Sequence, residues 1–472
     1  MQTSRTEEEK TIELPRILIT AGSSGTGKTL ITSGLLQALL FRGLSPASFK
    51  CGPDYIDPMF HSQVLGTKSR NLDTFFTDPD TTRYLLAKNL SGCDIAVMEG
   101  VMGYYDGLGG ISPKASAYDL ARVTDTPSIL IVNARGMSLS LAALIKGFST
   151  FRPDSRIRGV ILNRLSPSLY DRFRTTIEEE TQVKVLGYVP QTDDAVLESR
   201  HLGLVLPGEI PRLQKRLEDF ARILEKTLDL DGILRMASDT PPLRVTPDRA
   251  EFSQKPFSQD GPLRIGLAED EAFCFFYEDN LSLLRQMGAE LVSFSPIHDN
   301  SLPENLDGLL LYGGYPELHA ASLAENEGMR SAIRQALRGG MPCLAECGGF
   351  MYLHQEMEGM DGIFYPMAGV IEGKVFRTPR LSRFGYITLQ QKVPAFSENA
   401  WGEIRAHEFH YFDSTNCGSS FTACKPLSER SWDCMHASET MLAGFPHLYY
   451  YANPQVPRAF LRACGEYAKG GK

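Results

Sequence analysis

Nine cysteines are scattered over 472 residues with no Cys-x-x-Cys pair and no dense short cluster. That excludes a disulfide-stapled secreted scaffold and reads as reduced, mostly buried thiols of a cytoplasmic protein. No apolar run is long enough to span a bilayer. The first 14 residues, with acidic Glu7, Glu8 and Glu9, lack the apolar core of a signal segment, so no membrane association is expected. Basic residues (48) are outnumbered by acidic ones (57), and the net charge of −9 argues against a general affinity for nucleic acid. Internal repeats and low-complexity tracts are missing. His407-Glu408-Phe409-His410 does not have the His-Glu-x-x-His spacing of a zincin. Cys343 and Cys347 have no further Cys or His at ligand spacing, so a zinc site is not expected.

What remains is an ordinary globular composition, 42% hydrophobic and 22% charged, in a chain long enough for two or three domains. From Arg16 onward short apolar runs alternate with amphipathic stretches. Strands are expected over 16–21, 44–49, 94–98, 128–132 and 158–162, and helices over 28–42, 81–90, 115–123, 139–151 and 168–180. Continuous apolar strands between helices predict a parallel sheet covered on both faces. Residues 229–262 hold Pro241, Pro242, Pro247, Pro256 and Pro262 with little periodicity and read as a linker. A second α/β series follows, with strands over 263–268, 291–295, 308–311 and 341–346 and helices over 278–287, 324–337 and 348–355. Beyond Phe364 the pattern becomes richer in strands. The organisation read from the chain is a frayed terminus over 1–13, a nucleotide-binding domain over 14–228, the linker over 229–262 and a second domain over 263–466.

Three motifs carry chemistry. Gly22-Ser-Ser-Gly25-Thr26-Gly27-Lys28-Thr29 has the spacing of a Walker A loop, strand before and helix after. Its backbone N–H groups would turn toward ATP phosphates, Lys28 would neutralise the β and γ oxygens, and the Thr29 hydroxyl would ligate Mg²⁺. Glu99, closing a neighbouring strand, is the expected Walker B-like acid that holds Mg²⁺ or its water. Lys50-Cys-Gly-Pro-Asp54-Tyr-Ile-Asp57-Pro58 puts a lysine and two carboxylates at the carboxyl edge of the sheet, where α/β folds bind ligands; the same composition also suits a plain turn. Late in the chain, Ala345-Glu346-Cys347-Gly348-Gly349 reads as a cysteine nucleophile on a strand-to-helix elbow, where a helix N-terminus favours thiolate. Gly313-Gly314, ending an earlier strand, can supply an oxyanion hole, and His447 a base. A lone cysteine or histidine is more often structural; the ordered set of glycine loop, elbow and late histidine favours catalysis.

These blocks, with Glu99-Gly-Val-Met-Gly-Tyr-Tyr-Asp106-Gly107, Ser199-Arg-His-Leu-Gly203 and His407-Glu-Phe-His-Tyr411, closely resemble the cobyrinic acid a,c-diamide synthases, within the wider cobyric acid synthase and dethiobiotin synthetase-like group. The resemblance spans the chain beyond its first dozen residues. It implies a P-loop synthetase domain followed by a class I glutamine amidotransferase domain, and an enzyme that uses ATP, Mg²⁺ and L-glutamine to amidate two acetate groups of cobyrinic acid or a related tetrapyrrole. It implies Cys347 as nucleophile, His447 as base and Gly313–Gly314 as the oxyanion loop. Asp54, Asp57 and Glu99 fall on the acidic active-site positions, with Thr29, Asp54 and Glu99 toward the metal. Gly25, Thr26, Gly27, Lys28, Thr29 and Lys50 serve ATP, and Asn163 approaches the adenine. Most class I amidotransferases carry a glutamate two residues after the histidine. Here that residue is Tyr449, which implies a Cys–His dyad whose orienting group is unidentified. Hydrogenobyrinic acid and nickel-sirohydrochlorin present similar acetates and stand as alternative substrates; a regulatory P-loop ATPase with an inactive amidotransferase-like domain is the remaining rival.

Overall fold

The structure is a computed structural model that describes residues 10–191, 210–246, 252, 261–381, 383–399 and 401–470. The Ser199–Gly203 block and residues 1–9 of the expected frayed terminus lie outside these. Two compact units divide the chain, Met1–Pro247 and Asp248–Lys472.

The first unit is built on a parallel seven-stranded sheet. Its order is Lys68–Leu72, Pro46–Cys51, Ile95–Glu99, Arg16–Ala21, Ser128–Asn133, Ile157–Asn163 and Lys184–Val189. Ile17, Ile19, Val97, Ile129 and Ile131 are fully buried or nearly so, as a sheet sandwiched between helices requires. The helix Lys28–Phe41 covers one face with Ile31, Leu35 and Leu39. Against it lies Ile210–Thr227, whose Leu213, Leu217, Phe220 and Leu224 recur at helical spacing and are all buried. The two helices approach so closely that a Cβ on Gly34 would fall 2.5 Å from the Phe220 ring.

The segment read as a linker does not begin at Asp229. Asp229 caps the helix Leu230–Ser238 by accepting from Gly232 N (2.8 Å), and Leu230, Ile233 and Ala237 enter the core of the first unit. Leu243–Val245 then pairs antiparallel with Lys10–Ile12. Buried Arg16 ties this segment down, donating to Thr240 Oγ1 (3.2 Å) and Pro241 O (2.7 Å). Prolines outweighed a short amphipathic run in the sequence reading; burial of that run decided the outcome. Part of the expected terminus, Lys10–Ile12, is likewise a strand.

The second unit has a six-stranded sheet ordered Ala289–Phe294, Leu263–Ala268, Gly308–Leu311, Cys343–Glu346, Met441–Gly444, His436–Ala437, parallel except at the last pairing. A five-stranded antiparallel sheet carries Arg383–Gln391, Glu403–His410 and His447–Leu448 side by side, flanked by Phe421–Cys424 and Ser431–Cys434. The helix expected over 324–337 is two helices, Ala320–Glu325 and Glu327–Arg338. Asn326 separates them, its side chain accepting from Met329 N (3.2 Å).

Candidate functional sites

In the first unit three parallel strands end side by side. Register sets Glu99 opposite both Lys50 and Ile19, so the loop after Ala21 meets the ends of Ile95–Glu99 and Pro46–Cys51. Gly25 and Gly27 take φ of +74° and +95°, the left-handed region that lets successive N–H groups face one concavity. Lys28 is drawn over this loop, its Nζ donating to Ser23 O (3.0 Å) and Met102 O (2.7 Å). Asn163 donates from Nδ2 to Thr26 O (2.8 Å), so the residue expected at the adenine braces the phosphate loop here.

Lys50 is the hub of the cluster. Its ammonium contacts Asp57, lies 2.8 Å from Glu99 Oε1 and 3.9 Å from Asp54 Oδ2. Thr29 Oγ1 donates to Glu99 Oε1 (2.6 Å) and stands 3.5 Å from Asp57 Oδ2. Burial alone would strip the Lys50 proton, but Glu99, Asp57 and Asp54 outweigh it and hold the ammonium above the ordinary lysine range. Burial pushes Glu99 up to about 6 against the pull of Lys50. Burial would also raise Asp57, yet Lys50 wins and keeps it below the usual range. Asp54 is raised by burial and by the Asp57 charge.

Asp54 stands at the rim of the same cluster, with Oδ2 toward Lys50 and Oδ1 engaged by the backbone. Its Oδ1 accepts from Ile56 N (2.8 Å) and Asp57 N (3.3 Å), holding the first turn of the helix Ile56–Leu65. That turn delivers Asp57, not Asp54, to Thr29. A hydroxyl and two carboxylates, one with Oε2 of Glu99 buried and lacking a hydrogen-bond partner, form an oxygen donor set that fits Mg²⁺.

In the second unit Cys347 follows the strand Cys343–Glu346 and precedes the short helix Gly348–Tyr352. Its φ is +46° and ψ −105°, a conformation that L residues avoid unless the surroundings impose it. They do so here. Cys347 N donates to Gly444 O (2.8 Å), and a Cβ on Gly349 would sit 1.9 Å from Leu311 O. Gly314 N lies 3.1 Å from where a Gly348 Cβ would stand, and a Gly313 Cβ would come within 2.7 Å of His447 Cε1. The glycine pair, the elbow and the histidine are therefore gathered in one place.

Burial, with the charge of Glu317, keeps the Cys347 thiol well above its ordinary range. Burial, with the nearby His410, lowers His447 to about 3, so the resting ring is neutral. The His447 ring stacks on His407 (centroids 4.8 Å apart, 20° between planes) and its Nδ1 lies 3.8 Å from Glu346 Oε2. The Tyr449 hydroxyl donates to Asp279 Oδ2 (3.1 Å). Asn280 fixes the strand that bears His447, donating to Leu448 O and accepting from Tyr450 N, both at 2.8 Å. Sequence reasoning passed over Glu346. The signal was present, a carboxylate ending an otherwise apolar strand directly before the candidate nucleophile.

Residues 17–205 match the CobQ/CobB/MinD/ParA nucleotide binding domain family, and residues 264–452 the CobB/CobQ-like glutamine amidotransferase domain family. The chain is 39% identical to the cobyrinate a,c-diamide synthase of Listeria innocua, over 93% of this chain and 97% of that one. It is 37% identical to that of Dehalococcoides mccartyi (96% and 98% covered) and 38% to that of Salmonella typhimurium (94% and 97%).

Proposed function

Because the chain belongs to the cobyrinate a,c-diamide synthase family, a family of glutamine-dependent ligases, we propose that it converts the a and c acetate carboxylates of cobyrinic acid to amides at the expense of ATP and glutamine. One observation above all supports this reading. A P-loop flanked by Thr29, Asp57, Glu99 and Lys50, and an elbow cysteine gathered with a neutral histidine, occur in a single chain.

In the second unit His447 takes the Cys347 proton as Sγ attacks Cδ of glutamine. Gly313 and Gly314 offer N–H groups to the oxyanion. The C–N bond breaks, His447 returns the proton to the leaving nitrogen, and ammonia departs. Water then cleaves the thioester to glutamate and the free thiol. In the first unit a substrate acetate attacks the γ-phosphorus of ATP, ADP leaves, and an acyl phosphate forms. Ammonia displaces phosphate from it to give the amide. Lys28 and the loop N–H groups hold the phosphates, and Asn163 steadies the loop. Thr29, Asp57 and Glu99 are the residues that would hold Mg²⁺, which supplies positive charge against the phosphoryl oxygens. Asp54 serves by fixing Asp57, and Lys50 keeps Asp57 and Glu99 ionised in a buried site.

The test is mass spectrometry of tetrapyrroles after incubation with Mg·ATP and glutamine. Doubly amidated cobyrinic acid is expected. Product only from hydrogenobyrinic acid or nickel-sirohydrochlorin would move the substrate, and no amide from any of the three would overturn the reading.

A further inference from the structure

Position 449, two residues after His447, is where a class I amidotransferase keeps the glutamate that steadies its histidine, and here it is a tyrosine whose hydroxyl is bonded to Asp279. A base whose ring is not oriented, or whose positive charge is not balanced in a dry site, is a poor base. We infer that Glu346 is the positioning residue for His447: its carboxylate faces Nδ1, fixes the ring with Nε2 toward the thiol, and balances the charge the ring gains when it takes the Cys347 proton. The inference rests on the proposed roles of Cys347 and His447.

Four observations carry it. Glu346 Oε2 lies 3.8 Å from His447 Nδ1, both side chains almost wholly buried at 2% and 3% exposure. Glu346 Oε1 is buried and lacks a hydrogen-bond partner, so that oxygen is not committed to another side chain. The backbone N–H of Leu448, next to His447 in the two-residue strand His447–Leu448, favours the ionised form of the same carboxyl. Finally, Glu346 pairs with Gly444 in the parallel sheet and is covalently next to Cys347, so one rigid segment sets both the nucleophile and the carboxylate.

The other polar groups around the ring have their own partners. His407, stacked on His447, has Nδ1 3.4 Å from the Tyr277 hydroxyl. His410 bears on His447 electrostatically, but its Nδ1 donates to Phe412 O (2.6 Å) and its Nε2 lies 3.5 Å from Glu408. Tyr312 and Tyr450, which face Glu346, bond each other (2.8 Å). Glu346 Oε2, 3.8 Å from Nδ1, is thus placed to address the His447 ring. No proton passes to Glu346 in the cycle; the thiol proton moves to His447 Nε2 and from there to the departing nitrogen. Burial holds the Glu346 carboxyl far above its usual range, so the ionised Glu346–neutral His447 pair forms only as pH rises.

The experiment is glutamine hydrolysis by the full chain, with kcat and KM resolved across pH, for wild type, Glu346→Gln, Glu346→Asp and Cys347→Ala. Glu346→Gln should lower kcat about 10²-fold or more, the scale of a general base disabled, with KM little changed. Its acid limb should move to lower pH, because ionisation of the buried Glu346 carboxyl no longer has to precede activity, and Glu346→Asp should recover part of the rate. Wild-type kcat and an unmoved limb in a Glu346→Gln protein with native circular dichroism would overturn the inference. So would a raised KM with kcat intact, which would make Glu346 a glutamine contact. If Glu346→Gln fails to fold, Glu346→Asp decides: an unchanged rate and limb overturns the inference. Glutamine turnover surviving in Cys347→Ala would instead overturn the underlying reading of the site.

Discussion

Glu99 is placed where two groups compete for one carboxylate oxygen. Lys50 and Thr29 share its Oε1 while Oε2 is buried and lacks a hydrogen-bond partner. Glu99→Gln keeps the shape and removes the charge, so ATP should still bind while amide synthesis falls about 10²–10³-fold, the scale on which one preorganised electrostatic contact acts. ATP binding by calorimetry beside amide product by mass spectrometry checks this, and wild-type turnover would return Glu99 to a structural acid. Gly349 makes a second residue-scale case. Alanine there gains about 1 kcal/mol in helix propensity, but its Cβ would lie 1.9 Å from Leu311 O. Overpacking of about 1–3 kcal/mol or more wins, so Gly349→Ala should unfold at lower urea than wild type. At this scale the sequence was most legible where backbone chemistry leaves few options, as in the Lys28–Thr29 loop and the Cys347 elbow. It was least legible where a role depends on which neighbour arrives. Asp57 rather than Asp54 reaches Thr29 because Asp54 is spent on the helix turn, and nothing in their spacing distinguishes the two.

Elements are held to one another by neutral histidines. His61 links the helix Lys28–Phe41 to the strand Pro46–Cys51: Ser33 gives its hydrogen to Thr29 O, so His61 Nε2–H donates to Ser33 Oγ (3.1 Å) and Nδ1 accepts from Ser48 (2.7 Å). His354 donates from Nδ1 to Phe350 O (2.9 Å) and accepts from Ser414 (2.7 Å). Burial lowers both to about 4, against about 6.5 for an unfolded histidine. The unfolded chain therefore binds protons first as pH falls, and stability present above about 6.5 drains away toward about 4, by up to roughly 3 kcal/mol for each ring. Glu99, raised to about 6, works in the opposite direction on a smaller scale. The urea midpoint should thus fall between pH 7 and pH 5, and His61→Asn should flatten that slope; a midpoint independent of pH would contradict this reading. Strands read from apolar runs, such as Arg16–Ala21 and Gly308–Leu311, coincide with those observed. The polar edge strand Lys68–Leu72 gave no such signal, because its pairing with Pro46–Cys51 comes from the sheet rather than from its own residues.

The whole molecule divides its labour between two units, each with its own sheet and its own core. The order of the two chemistries was legible because each motif sits between a strand and a helix. The boundary was not, because the run from Asp229 to Val245 looks like a linker until its apolar face is seen buried in the first unit. Division of labour makes a demand that a single mixed site would not meet. The most direct measurement is amide product from Cys347→Ala with Mg·ATP and cobyrinic acid, supplied in turn with glutamine and with concentrated ammonium. The account predicts no amide from glutamine and near wild-type amide from ammonium. Amide formed from glutamine, or loss of both activities in a folded protein, would contradict it.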